Sequence, residues 1–278
     1  MTYLTDWQFE SPLPTVALFA LAYAIGWRRR SNRRRAATDA LLFTAGLGAL
    51  VLAFASPLAA LDRQLFWAHM TQHILLLAVA PPLILLSRPW ATAWRALPLD
   101  VRRPTARGLT YSRWARPLRE AGRWLASPPV ALALFCGVIL VWHVPLLFDA
   151  TLGSGVVHIA EHTTFLAVGF LFWSQLIDSP PLHSRLGYPA RALFALTAIG
   201  VGTALTLLLV LAPSPLYAGY ADLASRPGGI SALADQHLAA GIMWIPGSVP
   251  FAVALLVFAY RWLFDESGPR AAHLAAGR

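Results

Sequence analysis

Two histidine pairs in this sequence, His69/His73 and His158/His162, have their members four residues apart. On a helix that spacing sets both rings of a pair on one face. Imidazole nitrogen is a common protein ligand for copper, zinc, iron and nickel, so two such pairs could clamp one ion. Gln72 and Glu161 stand three residues after the first histidine of each pair, within reach of the same face, and could orient the rings as acceptors. Asp235 is a further candidate for that role. Met70 and Met243 carry soft sulfurs that suit copper(I), although Met70 follows His69 directly and must point elsewhere if His69 faces the other helices. The single Cys136 excludes an internal disulfide and a thiolate cluster.

The elements carrying these residues read as membrane spans. Of 278 residues, 57% are hydrophobic and 13% charged, whereas charged residues make up about 25% of a soluble domain. A crossing helix needs about 20 apolar residues, and such stretches run over 12–27, 38–61, 66–87, 128–148, 156–177, 190–211 and 233–264. The expected fold class is all-α: a polytopic transmembrane bundle of seven helices. One membrane domain covers residues 1–265, including an Arg/Trp-rich loop at 88–127, and a short cytoplasmic tail follows at 266–278. Ser127 before Pro128 reads as an N-cap, and Thr38 and Asp39 could cap the second helix. With no internal repeat in the sequence, an inverted-repeat transporter is not supported.

Arginine placement orients the bundle. All 22 basic residues are arginine, and basic loops resist translocation and mark the cytoplasmic side. Arg28, Arg29, Arg30, Arg33, Arg34 and Arg35 fill the first loop, nine more lie between Arg88 and Arg123, and Arg185 and Arg191 follow the fifth span. Arg261, Arg270 and Arg278 close the chain, and only Arg63 and Arg226 fall in the alternate loops. This places the N-terminus outside and the C-terminus inside. Trp90, Trp94, Trp114 and Trp124 accompany the arginines of the third loop, a pattern that suits an amphipathic segment on an anionic leaflet, though topology alone accounts for the charge. The formal charge of +9 then implies a lipid partner and no nucleic acid. The start, residues 1–14, is acidic and aromatic and lacks the basic front of a cleavable signal, so the first helix is expected to stay.

Orientation also sets depth. His69, His73, His158 and His162 fall in the first turns of helices running inward, His237 opens the last helix, and His143 ends a helix running outward, just before Asp149. Six histidines from four helices are thus expected in one outer layer, where buried polar groups must find partners. His183 and His273 fall on the cytoplasmic side as solvated residues. Pro145 is expected to kink the fourth helix by removing the bond to the Val141 carbonyl, and Pro81, Pro82 and Pro246 to act likewise in theirs. Trp67, Trp142, Trp173 and Trp244 read as interface-belt and packing residues.

The ordered motifs carry a resemblance. His69-Met-Thr-Gln-His73, with Ala80-Pro-Pro-Leu83 after it, resembles the third-helix signature of the CtaG-type cytochrome c oxidase assembly family in its multi-span branch. Trp142-His143-Val-Pro145 with Asp149, His158 and Glu161-His162, and Asp235-Gln-His237 leading to Met243-Trp244-Ile-Pro246-Gly247 are similar to its remaining blocks in order. The likeness runs from the second helix to the seventh. It implies an inner-membrane chaperone that supports assembly of cytochrome c oxidase, with the oxidase subunits as partners and copper as the metal handled. Carried over residue by residue, it implies His69, His73, His143, His158, His162 and His237 as metal ligands.

Three other readings fit the same residues. Facing histidines could supply two axial haem ligands. His158 and His162 could hold zinc beside Glu161 as general base, in an order similar to inverted zinc proteases. The histidines could also simply bond helix to helix in a scaffold. Catalysis is not expected, copper is preferred over zinc or haem, and small residues at Gly46 and Gly48 and at 239–241 permit a homo-oligomer.

Overall fold

The computed structural model describes residues 13–30 and 33–264. The tail expected at 266–278, with His273, and the acidic start over residues 1–12 lie outside the described residues. Within them the regular structure is helical: α1 (Leu13–Arg28), α2 (Arg33–Ala55), α3 (Pro57–Leu61), α4 (Phe66–Ile74), a π turn (Leu75–Val79), α5 (Ala80–Leu86), α6 (Pro89–Ala93), α7 (Leu99–Tyr111), α8 (Arg116–Leu125), α9 (Pro128–Trp142), α10 (Pro145–Gly153), α11 (Gly155–Leu176), α12 (Tyr188–Leu211), α13 (Ala218–Ala221) and α14 (Ala232–Phe264).

Five stretches are long and apolar enough to cross a membrane: Arg35–Leu61, Phe66–Leu86, Gly155–Leu176, Tyr188–Leu211 and Ala232–Phe264. A sixth is possible if α8 and α9, bent by 66° at their junction, count as one span. The chain is therefore an all-helical membrane protein. The first predicted span is represented by the 16 residues of α1. The third predicted loop is itself helical: α7 and α8 bury none of their residues, and α8 carries an exposed Arg116–Glu120 pair one turn apart at 2.8 Å.

Prolines set the breaks. Pro81 has no N–H to give the carbonyl of Leu77, its partner four residues earlier, and the helix widens into the π turn at that point. The freed Leu77 carbonyl accepts from the Trp173 indole of α11 at 3.0 Å, so Trp173 has a specific bond beyond the packing role expected of it. α11 can come this close because Gly169 lies there; a Cβ would stand 3.1 Å from the same Leu77 oxygen and 3.0 Å from Pro81. At Pro145 the expected kink is a full break. α9 stops at Trp142, α10 starts at Pro145, and the Val141 carbonyl is not freed, since it accepts from the Val144 N–H at 3.1 Å.

The expected caps also differ. Ser127 occupies the N-cap position, but its hydroxyl donates back to the Trp124 carbonyl at 2.6 Å. Asp39 lies inside α2, which begins at Arg33, and pairs with Arg30 at 2.6 Å. A buried aromatic core of Phe135, Phe165, Phe172, Trp173 and Phe251 joins α9, α11 and α14. A second core, with Tyr23 stacked on Phe43, joins α1, α2 and α5. A third, around Phe66, Phe148, Tyr217 and Tyr220, seals the end of the bundle where the histidines lie.

Candidate metal centre

α4 and α11 meet with His69 and His73 facing Glu161 and His162. Each of these four residues offers one ligand atom within 4.8 Å of the others, and all four are buried. His69 Nε2 lies 3.0 Å from His73 Nε2 and 3.2 Å from Glu161 Oε2, and His73 Nε2 lies 3.4 Å from Glu161 Oε1. Tetrahedral ligands about 2.0–2.1 Å from zinc or a similar ion stand roughly 3.3 Å apart, close to these separations. Phe165 stacks on His73 with centroids 4.2 Å apart, and Phe148 lies against His69, so the cluster is walled by apolar rings.

The hydrogen-bond partners of His69 set its tautomer. Tyr220 gives its single O–H to the Asp62 carbonyl, so at 3.3 Å from His69 Nδ1 its oxygen can only accept. His69 then carries its proton on Nδ1 and turns the Nε2 lone pair toward His73 and Glu161. Lone pairs of nitrogen and carboxylate oxygen repel unless a positive charge lies among them, either a metal ion or a proton held on His73 Nε2. Both ring nitrogens of His162, the second nitrogen of His73 and Glu161 Oε1 lack hydrogen-bond partners although buried. Such atoms are costly when isolated and natural as ligands. The donor set of three imidazoles and a carboxylate suits copper(II), zinc or iron(II).

The other expected site residues divide. His158 is buried but turns to Asp62, with Nε2 3.6 Å from Oδ2, so the second pair contributes one member to the four-residue set. His143 is buried with its Nδ1 2.7 Å from the Ile139 carbonyl, its ring 6.3 Å from that of His73. His237 is exposed and is not brought to the cluster, because neighbouring Asp235 and Gln236 hold the buried face of α14. Asp235 does not orient a histidine: it accepts from the Phe66 and Trp67 N–H groups at 2.8 and 3.1 Å and caps α4. Gln72 donates to the Ala53 carbonyl at 2.8 Å, tying α4 to α2. Asp149 accepts from the Ala218 and Gly219 N–H groups at 3.2 and 3.0 Å. Glu161 does not orient the rings of its own helix and instead reaches the histidines of α4.

Sequence reasoning missed Asp62, Tyr217 and Tyr220. They come from the short connections between spans, Tyr220 within α13, and their signal was small: an acid beside Arg63 before the third span, and two tyrosines in a 20-residue connection near Asp222. Tyr217 donates to the His143 carbonyl at 3.2 Å. Burial pushes both phenols well above their ordinary range, which keeps them neutral donors. Burial likewise raises the Asp62 carboxyl, against the opposing pull of His69 and Arg63.

A family model described as cytochrome c oxidase caa3 assembly factor matches residues 21–264. The chain belongs to that family. The caa3 assembly factor match spans every residue of the His/Glu cluster. Uncharacterized proteins of Mycobacterium bovis and Mycobacterium tuberculosis are each 29% identical over 265 residues, covering 93% of this chain and 40% of theirs. An uncharacterized protein of Mycobacterium leprae is 25% identical over 267 residues, covering 94% and 40%. The chain thus spans 40% of the length of these curated relatives. No solved structure gives a significant match.

Proposed function

We propose that this protein is an inner-membrane assembly factor for cytochrome c oxidase that holds copper as cargo at His69, His73, His162 and Glu161 and passes it to an oxidase subunit. The observation that carries the reading is the convergence of four buried ligand atoms within 4.8 Å on α4 and α11, with unpartnered nitrogens at its centre. Copper supplies the cation these lone pairs lack. His69 is held in its ligating tautomer by Tyr220, His162 and His73 bring the further nitrogens, and Glu161 closes the set with a charge that lowers the cost of burying a cation. The aromatic walls exclude water. Arginine placement puts this end of the bundle on the outer side, where cargo could be handed to a subunit in the same membrane.

A haem site is disfavoured by space: the cavity beside the cluster measures about 70 Å³, against roughly 300 Å³ or more for a cofactor pocket. The zinc-enzyme reading is disfavoured because Glu161 stands among the ligand atoms and His158 faces Asp62. Metal analysis of the detergent-purified full chain after copper loading tests the proposal. Near-stoichiometric copper is expected in the wild type, and loss of it in a folded His69→Ala/His73→Ala/Glu161→Gln/His162→Ala variant. A wild type that stays metal-free would move the histidines to a scaffold role.

A further inference from the structure

A second group of donors lies on the Met70 side of α4. A cavity of about 70 Å³ is bounded there by Met70, His73, His143, Phe165, Met243 and Phe251, among others. Its wall is mainly apolar, yet two buried nitrogens of its lining residues, His143 Nε2 and His73 Nδ1, have no hydrogen-bond partner. The His143 tautomer is fixed by the backbone. Its Nδ1 lies 2.7 Å from the Ile139 carbonyl, which can only accept, so Nδ1 carries the proton and Nε2 a lone pair. Metal-binding histidines are commonly held this way, with the far nitrogen donating to a carbonyl. His143 is 8% exposed and Met70 fully buried, while Met243 packs against the same apolar end of the bundle.

Two thioethers and one neutral imidazole form a soft, uncharged donor set. It differs from the His/Glu centre, whose carboxylate and three imidazoles suit a divalent ion. We propose that Met70, Met243 and His143 form a second metal site, selective for a soft monovalent cation such as copper(I) or silver(I), with His73 as the wall shared by both sites. His73 points Nε2 at His69 and Glu161, and its ring centroid lies 6.3 Å from that of His143. An ion displaced from the first centre therefore has a second imidazole one ring away, on a cavity that Met70 and Met243 also line. The direction of transfer rests on the proposed copper-handling function; the binding of a soft cation does not.

Methionine also serves as plain filler in cores, and a water could bridge the two nitrogens in a cavity this size. Silver(I), soft and redox-inert, separates these readings. The full chain in detergent, in a Cys136→Ser background so that the methionines are its sulfur donors, would be titrated with silver(I) and with zinc(II), and X-ray absorption of the silver-loaded protein would identify the scatterers. Expected are sulfur scatterers, and silver affinity about 10–100-fold weaker in Met70→Leu/Met243→Leu and in His143→Gln, with helicity and zinc binding unchanged. Silver bound through nitrogen and oxygen alone, unchanged affinity in the methionine variant, or no silver binding by the wild type would overturn the proposal. Were the double variant to unfold, sulfur scattering in the wild type decides. A wild type that takes silver through sulfur but neither zinc nor copper(II) would keep this site and remove the His/Glu centre.

Discussion

Tyr220 sets the orientation of the His/Glu cluster from outside it. Its hydroxyl gives its proton to the Asp62 carbonyl and takes the His69 Nδ1 proton as acceptor, which fixes the lone pair of Nε2 toward the cluster. Tyr220→Phe is expected to weaken metal binding about 10–100-fold with helicity retained, as read by competition with a chromophoric chelator. An unchanged affinity would show that the tautomer is set elsewhere. Asp62 gives a prediction with a sign. Burial raises its carboxyl above the ordinary aspartate range, so the folded state holds the proton more tightly than the unfolded chain does. The stability tied to this group is complete below the unfolded value, near 4, and is lost as pH rises through the folded value. Asp62→Asn removes that loss. Its thermal-midpoint gain over the wild type should grow as pH rises above about 4 and level off above the raised folded value, and a pH-independent difference would refute the assignment.

Helices supply the precision the side chains need. The π turn at Leu75–Val79 follows His73 by two residues, and the carbonyl it releases is held by Trp173 from the helix that carries Glu161 and His162. One proline, Pro81, thus creates a bond that locks the two ligand-bearing helices together. Trp173→Phe leaves the Leu77 carbonyl buried and unpaired. The expected cost is about 1–3 kcal/mol of stability, together with weaker metal binding, measured by thermal unfolding in micelles and by metal titration. Stability within a few tenths of a kcal/mol of the wild type would mean that the bond contributes little. A similar close approach joins α1 to α6, where a Cβ on Gly26 would collide with the Thr92 carbonyl oxygen.

At the scale of the molecule, charge is segregated by end. Arg28 to Arg30, the arginines of α7 and α8, Arg185 and Arg191 share the end opposite the cluster, while Arg63 and Arg226 stand near it. By the positive-inside rule, the expected place of the His/Glu cluster is the outer side. In a Cys136→Ser background, Ala224→Cys near the cluster should react with an impermeant maleimide added to intact cells, and Thr105→Cys in α7 should not. The reverse pattern would invert the topology and with it the side from which copper is received.

The sequence by itself determined the helices. Apolar runs long enough to span a bilayer have few alternatives, because backbone polar groups in lipid must bond within their own segment, and the predicted spans 66–87, 156–177, 190–211 and 233–264 lie within two residues of the observed helices. The four-residue spacing likewise identified His69 and His73 as a pair on one face. Periodicity cannot say which face meets which neighbour, and here only the tertiary structure decided. Helix rotation about α14 buries Asp235 as a cap and leaves His237 outside, and the approach of α11 brings Glu161 among the ligand atoms while turning His158 to Asp62. Asp62 and Tyr220 reach the site from short connections between spans that carry no periodic signal. Their contribution depends on contacts between residues 158 positions apart, which close only when the whole bundle has packed.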